Sequence, residues 1–333
     1  MEKIVFQMRT IVRTCGLVIA ALILQMHGEL KAQTVNEGIT LIQQKKFAEA
    51  KSVFEQILNK DENNAEAHYR LGLLYFNRTN PQRDVDEAVD QLEKAVDLKP
   101  DSANYQFRYG VALGEKTQKA GIIKQAFLAP KVKNAFKRAV ELNPQHAQAR
   151  MALAQFYLIA PSIAGGDEEE GWKQLDEAIK LDEVQGRSVK ASMLARAKKN
   201  DEAEKEYKIL VVSKPGDWRT WKNYGYFCMN AEHYDDAIGK FKKYIELCPD
   251  TADSYQSLAE ALLKKGETEK AMENLNKSLS IDKEYIPAII SLGEVYQAKG
   301  QKKEAKETYQ RAISLTQNEY YRDWAEKKLK EVE

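Results

Sequence analysis

The chain has 333 residues, of which 30% are charged and 43% apolar, with only 17 glycines and 8 prolines. This composition is typical of a soluble, helix-rich protein. The formal net charge is +1 for the whole chain and −1 when residues 1–32 are left out. A balance this close to neutral argues against a nucleic-acid partner, because proteins that bind nucleic acids present a basic surface.

Residues 1–32 have the layout of a secretory signal peptide. Basic residues precede an apolar run over residues 15–24, and a polar stretch then leads to Ala32. The run is shorter than the roughly 20 residues that span a bilayer. The sequence therefore predicts cleavage after Ala32 and export, to the periplasm or out of the cell. An uncleaved inner-membrane anchor is the alternative.

From residue 33 onward, a pattern of three positions returns eight times: a small residue, an alanine twelve residues later, and a large apolar residue four further on. The middle position is alanine in six copies, and Val132 and Gly171 replace it in the third and fourth. The second, third and fourth copies contain insertions. The small position holds Gly38, Gly72, Gly110, Ala154, Ala191, Gly225, Ala259 and Gly293. The large position holds Phe54, Leu92, Phe136, Leu175, Tyr207, Phe241, Leu275 and Tyr309. Small side chains let two short helices approach, and a large side chain fills the remaining gap. The pattern therefore predicts stacked helical hairpins.

The most complete copies carry further residues around this pattern. They resemble the tetratricopeptide repeat, whose 34-residue signature is W-x2-L-G-x2-Y, then A-x3-F, then P. The residues that carry the resemblance are Gly72, Tyr75, Ala88, Pro100, Trp221, Gly225, Ala237, Phe241, Pro249, Gly293, Tyr296 and Ala305.

The resemblance implies an all-α fold, a right-handed superhelical solenoid of about eight helix-turn-helix hairpins over residues 33–319. Repeats are expected to begin near residues 31, 65, 103, 147, 184, 218, 252 and 286. Residues 320–333 are predicted to form a helix that caps the exposed end of the array. Proline lacks a backbone donor and ends helices, so Pro100, Pro144, Pro215 and Pro249 are expected to follow the second helices of their hairpins.

Three repeats are longer than 34 residues. Residues 78–83 of the second repeat are predicted to form a longer loop. Residues 115–128 of the third repeat keep helical spacing of their apolar residues and predict an extended helix. In the fourth repeat, Pro161 is expected to end a helix, and Asp167 with Glu170 predicts a capping box for the next one. Acidic residues after Gly165 and Gly166 argue against an anion site there, so this loop is interpreted as a connector.

The sequence offers no catalytic constellation. The histidines after residue 32, namely His68, His146 and His233, stand in three different repeats and outside any metal-binding motif. Cys228 and Cys248 are expected at opposite ends of one hairpin, on the order of 10 Å apart, beyond the reach of a disulfide. We therefore predict a protein that is not an enzyme and has no metal or cofactor.

In tetratricopeptide proteins, the first helix of each hairpin lines a concave groove that holds a partner segment. By that resemblance, the candidate partner-binding residues in the amino-terminal half are mainly apolar: Tyr69, Leu73, Phe76, Phe107, Val111, Met151, Gln155 and Leu158. Those in the carboxy-terminal half are more polar: Arg219, Lys222, Tyr226, Met229 and Asn230. An apolar stripe at helical spacing is also what a buried core produces, and the extended helix of the third repeat could cover it. Both interpretations stay open from the sequence.

The predicted function is that of a non-catalytic scaffold which binds a protein or peptide segment in the concave groove. One alternative is an accessory subunit of an envelope or membrane assembly complex, docked through its convex face or the loop of the fourth repeat. An enzyme is a third alternative that no motif supports. Membrane contact is expected only through an uncleaved signal anchor or a partner complex, and the partner's identity is left open.

Overall fold

The structure is a computed structural model that describes residues 34–333, so the predicted signal peptide lies outside the described residues. These residues form α-helices, one short 3-10 turn at Ser162–Ala164, and no β-strand. The helices are α1 Val35–Gln43, α2 Phe47–Lys60, α3 Ala65–Phe76, α4 Val85–Leu98, α5 Ala103–Lys119, α6 Ile122–Leu142, α7 Ala147–Ile159, α8 Glu168–Leu181, α9 Glu183–Arg196, α10 Asn200–Ser213, α11 Trp218–Asn230, α12 Tyr234–Leu247, α13 Ala252–Lys265, α14 Thr268–Ile281, α15 Ile286–Ala298, α16 Lys302–Leu315 and α17 Glu319–Val332.

Consecutive helices pair into eight hairpins, from α1 with α2 to α15 with α16, and α17 packs against the last hairpin. Each second helix also contacts the first helix of the next hairpin. Since one hairpin buries too little to fold alone, a shared core along the array supplies the stability. The predicted all-α solenoid is confirmed.

The glycines of the small position contact the large position directly. A Cβ atom added to Gly225 would lie 2.5 Å from Cε1 of Phe241, and one added to Gly293 would lie 2.4 Å from Cε1 of Tyr309. Both aromatic side chains have no exposed surface. The regular spacing of the two positions along the chain therefore has a steric cause: in these two hairpins, only a hydrogen at the small position leaves room for the ring.

Helix ends follow the sequence signals. The prolines Pro100, Pro144, Pro215 and Pro249 each stand two residues after the last residue of α4, α6, α10 and α12, as predicted. Side-chain oxygens of Asn64, Asp84, Ser102 and Asp182 accept hydrogen bonds from backbone N–H groups of the first turns that follow. These caps satisfy donors that the helix itself leaves free.

The loop of the second repeat is ordered by Asn80, whose buried side chain donates from Nδ2 to the carbonyl oxygen of Leu74 at 2.9 Å. In the third repeat the insertion is not one extended helix. Instead it lengthens both α5 and α6, with a break at Ala120 and Gly121. The glycine at the break adopts extended backbone and interrupts the helical hydrogen bonds, so the chain turns back there.

The capping box predicted for the fourth repeat is half formed. Oδ1 of Asp167 accepts from the backbone N–H of Glu170 at 3.0 Å, as expected. The reciprocal bond is absent, because the backbone N–H of Asp167 donates to the carbonyl oxygen of Tyr157 and the Glu170 side chain pairs with Lys173 and Gln174. The loop thus closes onto the preceding helix.

Cys228 is buried and Cys248 half-buried, and both are free thiols, as predicted. Burial raises the pKa of the Cys228 thiol to about 11, which keeps it protonated at neutral pH.

Near the carboxy terminus, Nη1 of Arg83 lies 2.9 Å from Oε2 of Glu319, so the start of α17 meets the loop of the second repeat. Among residues 34–333, no helix combines the length and the apolar character needed to cross a membrane.

Candidate functional site: the concave face

The first helices of the hairpins form the inner wall of the solenoid. They contact one another from hairpin to hairpin, in pairs such as α7 with α9, α9 with α11, α11 with α13 and α13 with α15, whereas neighbouring second helices lie further apart. We call the surface of the first helices the concave face.

The amino-terminal part of the concave face contains an open apolar depression of about 360 Å³. The first helices of three successive hairpins, α1, α3 and α5, supply its walls, and its lining includes two arginines. It is lined by Ile39, Ile42, Gln43, Arg70, Leu73, Leu74, Phe76, Asn77 and Arg108.

The middle of the concave face contains a larger depression of about 600 Å³, which we call the amide groove. Side-chain amides and hydroxyls, mainly from α7, α9 and α11, share it with three aromatic rings, and no charged side chain lines it. Its lining residues are Gln155, Gln185, Ser188, Val189, Ser192, Ala195, Asn200, Tyr207, Asn223, Tyr226, Phe227, Asn230 and Ala231. Nδ2 of Asn223 donates to Oγ of Ser188 at 3.0 Å, and Oγ of Ser188 donates to the carbonyl of Val184. This chain of bonds fixes the centre of the groove.

Beyond the amide groove, Asp253 organises a polar cluster. Its Oδ2 accepts from Nζ of Lys222 at 2.7 Å and from the Tyr244 hydroxyl at 2.6 Å, and its Oδ1 accepts from the Tyr285 hydroxyl at 2.9 Å. Burial acts to raise the pKa of the Asp253 carboxyl, but the bonds from Lys222 and Tyr244 outweigh burial and lower it. The cluster therefore holds three hairpins together through a carboxylate.

A pH dependence follows from this carboxylate. Because folding lowers its pKa, the cluster stabilises the fold above the ordinary value of 3.8 and loses that contribution as the pH falls through the folded value. Asp253→Asn is expected to lower the free energy of unfolding by about 1–2 kcal/mol at pH 7. The difference from wild type should shrink below pH 3.8, as measured by urea unfolding at several pH values. Asp250→Asn, at an exposed position in the loop just before α13, is the control and should leave stability unchanged.

The structure separates the predicted partner-binding residues into groups. Tyr69, Phe107 and Met151 are 5–8% exposed and lie in the hydrophobic core, so they pack hairpins together instead of facing a partner. The Tyr69 ring stacks on Tyr105 of the next hairpin, with centroids 4.2 Å apart, and the Phe107 ring lies 4.8 Å from the His146 ring. For these three residues, the core interpretation of the apolar stripe is the one that the structure supports.

Three more predicted residues are half-buried in hairpin contacts: Val111, Leu158 and Met229. Leu73 and Phe76 line the apolar depression, and Gln155, Tyr226 and Asn230 line the amide groove.

The two predicted basic residues are engaged within the chain. Nη2 of Arg219 lies 2.7 Å from Asp217, and Lys222 pairs with Asp253. Neither leaves an unpaired charge on the concave face.

Several lining residues were not among the predicted partner-binding residues, including Ile39, Arg108, Gln185, Ser192 and Asn223. The repeat register contains the signal for one of them. The position directly after the small residue holds Gln155, Tyr226 and Ser192 in three successive repeats, and all three line the amide groove.

The histidines have structural surroundings. Nδ1 of His68 lies 2.7 Å from Oε1 of Gln91, and its Nε2 lies 2.9 Å from the carbonyl oxygen of Glu62, so the ring joins two helices. His146 caps α7 through a bond from the backbone N–H of Ala149. Within residues 34–333, no cluster of three or more His, Cys, Asp or Glu side chains has the arrangement of a metal site.

Family models match two parts of the chain. Models described as "Tetratricopeptide repeat" match residues 188–252, 240–273 and 262–323. A model described as "Regulator of microtubule dynamics protein 1-3" matches residues 35–160.

Sequence relatives are distant and much longer. Tetratricopeptide repeat protein 37 of Xenopus laevis is 25% identical over 266 residues, which cover 78% of this chain but only 16% of that protein. The chain thus spans about a sixth of the length of this relative.

Solved structures show the same architecture. Yeast Tom70 superposes with a TM-score of 0.65 at 16% identity, covering 86% of this chain and 59% of that one. A tetratricopeptide repeat protein from Parabacteroides merdae superposes with a TM-score of 0.53 at 14% identity, covering 90% and 96%. At these identities the likeness concerns the fold. The chain is a helical solenoid, and its residues 188–323 match tetratricopeptide-repeat models.

Proposed function

We propose that the protein is a non-catalytic scaffold that binds an extended protein segment in its concave face, with the amide groove at the centre of the site. The observation that carries this proposal is the lining of that groove: four side-chain amides and two serine hydroxyls from three successive first helices, around an open volume of about 600 Å³. Tetratricopeptide repeats generally serve protein interactions, which supports the same class of function.

The chemistry of the lining suits a peptide backbone. A side-chain amide offers both a donor and an acceptor, and an extended chain presents an N–H and a C=O group at every residue. Gln155, Asn223 and Asn230 come from different turns and helices, so they can form hydrogen bonds with successive peptide units of one segment. The rings of Tyr226 and Phe227 add apolar surface for its side chains.

The charges around the amide groove indicate which kind of partner segment fits it. The basic residues near the groove are neutralised within the chain, Arg219 by Asp217 and Lys222 by Asp253. An uncharged segment therefore fits the amide groove better than an acidic or basic tail, because a charged group would lose hydration without gaining an opposite charge.

We also propose that the protein is exported, on the basis of the charged start and short apolar run of residues 1–32. The scaffold would then meet its partner outside the cytoplasm.

One observation favours the alternative function, an accessory subunit that docks through the loop of the fourth repeat. Ile163, in the 3-10 turn of the fourth repeat's loop, is 99% exposed. Docking through this loop would remove the Ile163 side chain from water, which favours binding.

The test is affinity capture with matched variants, using an extract of the cells that produce the protein. Replacing Asn223 and Asn230 together by alanine should lower the recovery of the bound protein roughly tenfold or more, since each lost hydrogen bond weakens binding several-fold. The control is Asn276→Ala, an exposed asparagine on the second helix α14, which should capture the partner as wild type does. Unchanged capture by the Asn223/Asn230 variant, with loss in Ile163→Ser, would favour docking through the loop.

A further inference from the structure

The third hairpin extends beyond its neighbours. α6 begins ten residues before Val132, whereas α4 begins three residues before Ala88, the equivalent position of the preceding hairpin. The difference of seven residues is about 10 Å of helix at 1.5 Å per residue. We call residues 119–128 the hairpin tip.

The hairpin tip exposes apolar side chains that the fold does not bury. Ile122, Ile123 and Phe127 are 83%, 74% and 75% exposed. Further along the same helix the apolar residues are buried, among them Val132 and Phe136. Exposing three large apolar side chains at one point is unfavourable in water, and single surface residues of this kind are ordinary whereas a contiguous group marks a contact site.

The chain around the hairpin tip is basic although the protein as a whole is nearly neutral. No acidic residue stands between Glu115 and Glu141, and this stretch contains Lys116, Lys119, Lys124, Lys131, Lys133, Lys137 and Arg138. Four of these pair with carboxylates: Lys116 with Asp86, Lys119 with Glu115, Lys131 with Glu93, and Arg138 with Glu141.

The other basic side chains keep a net positive charge beside the apolar group. Lys124, which directly follows Ile123, has no carboxylate within ion-pairing distance among residues 34–333, nor do Lys133 and Lys137. Lys119 pairs with Glu115, which also pairs with Arg78 and Arg83.

We propose that the hairpin tip is a membrane-surface contact, which inserts Ile122, Ile123 and Phe127 among lipids while Lys119 and Lys124 pair with anionic headgroups. The apolar side chains stand on a protruding end and not in a groove, and a fluid interface accepts a protrusion without a preformed pocket. Interfacial apolar groups are buried about 5–10 Å deep, which the length of the hairpin tip can reach. Lysines beside them add attraction to an anionic surface. This contact is separate from the concave face and needs no signal anchor.

The experiment uses the full-length chain carrying Phe127→Trp, mixed with vesicles of phosphatidylcholine and phosphatidylglycerol whose acyl chains are brominated. We expect fluorescence quenching above that of wild type, because bromine quenches only a tryptophan that enters the acyl region. Val212→Trp is the matched control, since Val212 is 82% exposed on α10 of the fifth hairpin, whereas the hairpin tip belongs to the third. The amino-terminal segment is the same in both variants, so any membrane binding through it does not produce a difference between them.

The same vesicle experiment tests whether the positive charge of the lysines contributes to binding. Lys124→Gln in the Phe127→Trp background should raise the lipid concentration at half-maximal quenching roughly fivefold, as expected for one lysine near an anionic surface. Replacing Asn223 and Asn230 by alanine should leave the quenching unchanged, which distinguishes this contact from the concave face. Two outcomes would overturn the proposal. Quenching at position 127 no greater than at position 212 would favour a protein partner for the hairpin tip. Quenching at position 127 that is as strong in vesicles of phosphatidylcholine alone as in the anionic vesicles would contradict pairing with anionic headgroups.

Discussion

Replacing Phe241 by alanine should lower the free energy of unfolding by about 3–5 kcal/mol, measured by denaturant unfolding. The Phe241 side chain has no exposed surface and belongs to the core that joins the fifth to the eighth repeats. Its ring fills the space left by Gly225 on α11 and meets the Tyr226 ring edge-on, with centroids 5.1 Å apart. Alanine would leave a cavity that a stack of short helices closes only in part.

The control for this prediction lies on the same helix. Leu247 is 40% exposed at the end of α12, so Leu247→Ala should change the free energy of unfolding by less than about 1 kcal/mol. If the two variants were equally stable, Phe241 would not be the contact that joins the hairpin, and the packing account of the repeat pattern would be wrong.

The second large effect is expected at the other side of the same contact. Gly225→Val should destabilise the protein by about 3 kcal/mol. An added Cβ would lie 2.5 Å from Cε1 of Phe241, and the ring cannot move away because it is buried between hairpins. Thermal or denaturant unfolding of the variant measures the effect.

A glycine in the partner helix supplies the matched control. A Cβ added to Gly239 on α12 meets nothing within 4 Å. Gly239→Ala should therefore leave stability unchanged or raise it by about 0.5–1 kcal/mol, since alanine favours a helix more than glycine does. Destabilisation by Gly239→Ala as large as that by Gly225→Val would contradict a steric origin.

The succession of hairpins can be predicted from the sequence because direct contact fixes the residue types at two positions of each repeat. Gly225 with Phe241 and Gly293 with Tyr309 have the same spacing and the same geometry. Because other residue types at either position would break the contact, the same types recur at the same spacing, and the pattern can be recognised in a single sequence. Helix ends are equally local, as the prolines two residues beyond α4, α6, α10 and α12 show.

The concave face is less predictable, because its exposure depends on the neighbouring repeat. The helical spacing of Tyr69 and Phe107 places both towards the inside, but it carries no information about Tyr105 and His146, the rings that cover them. Whether a first-helix residue lines a groove or joins two hairpins is decided by the angle between repeats, which a single repeat does not encode.

The insertion of the third repeat shows the same limit. Helical spacing in residues 122–127 predicts helix correctly, but it does not indicate whether the apolar side is covered. The break at Gly121 turns the chain back and leaves Ile122 and Phe127 exposed, away from the core.

The measurement that tests the central claim most directly is site-specific photo-crosslinking in the cells that produce the protein. A benzophenone side chain at position 230, in the amide groove, should form a covalent adduct with a partner protein, whereas the same side chain at position 276, on the second helix α14, should not. Loss of the adduct at position 230 on adding Gln155→Ala and Asn223→Ala would place the partner in the groove. Adducts at position 276 alone, or an adduct at position 230 that these substitutions do not weaken, would contradict a scaffold that binds through its concave face.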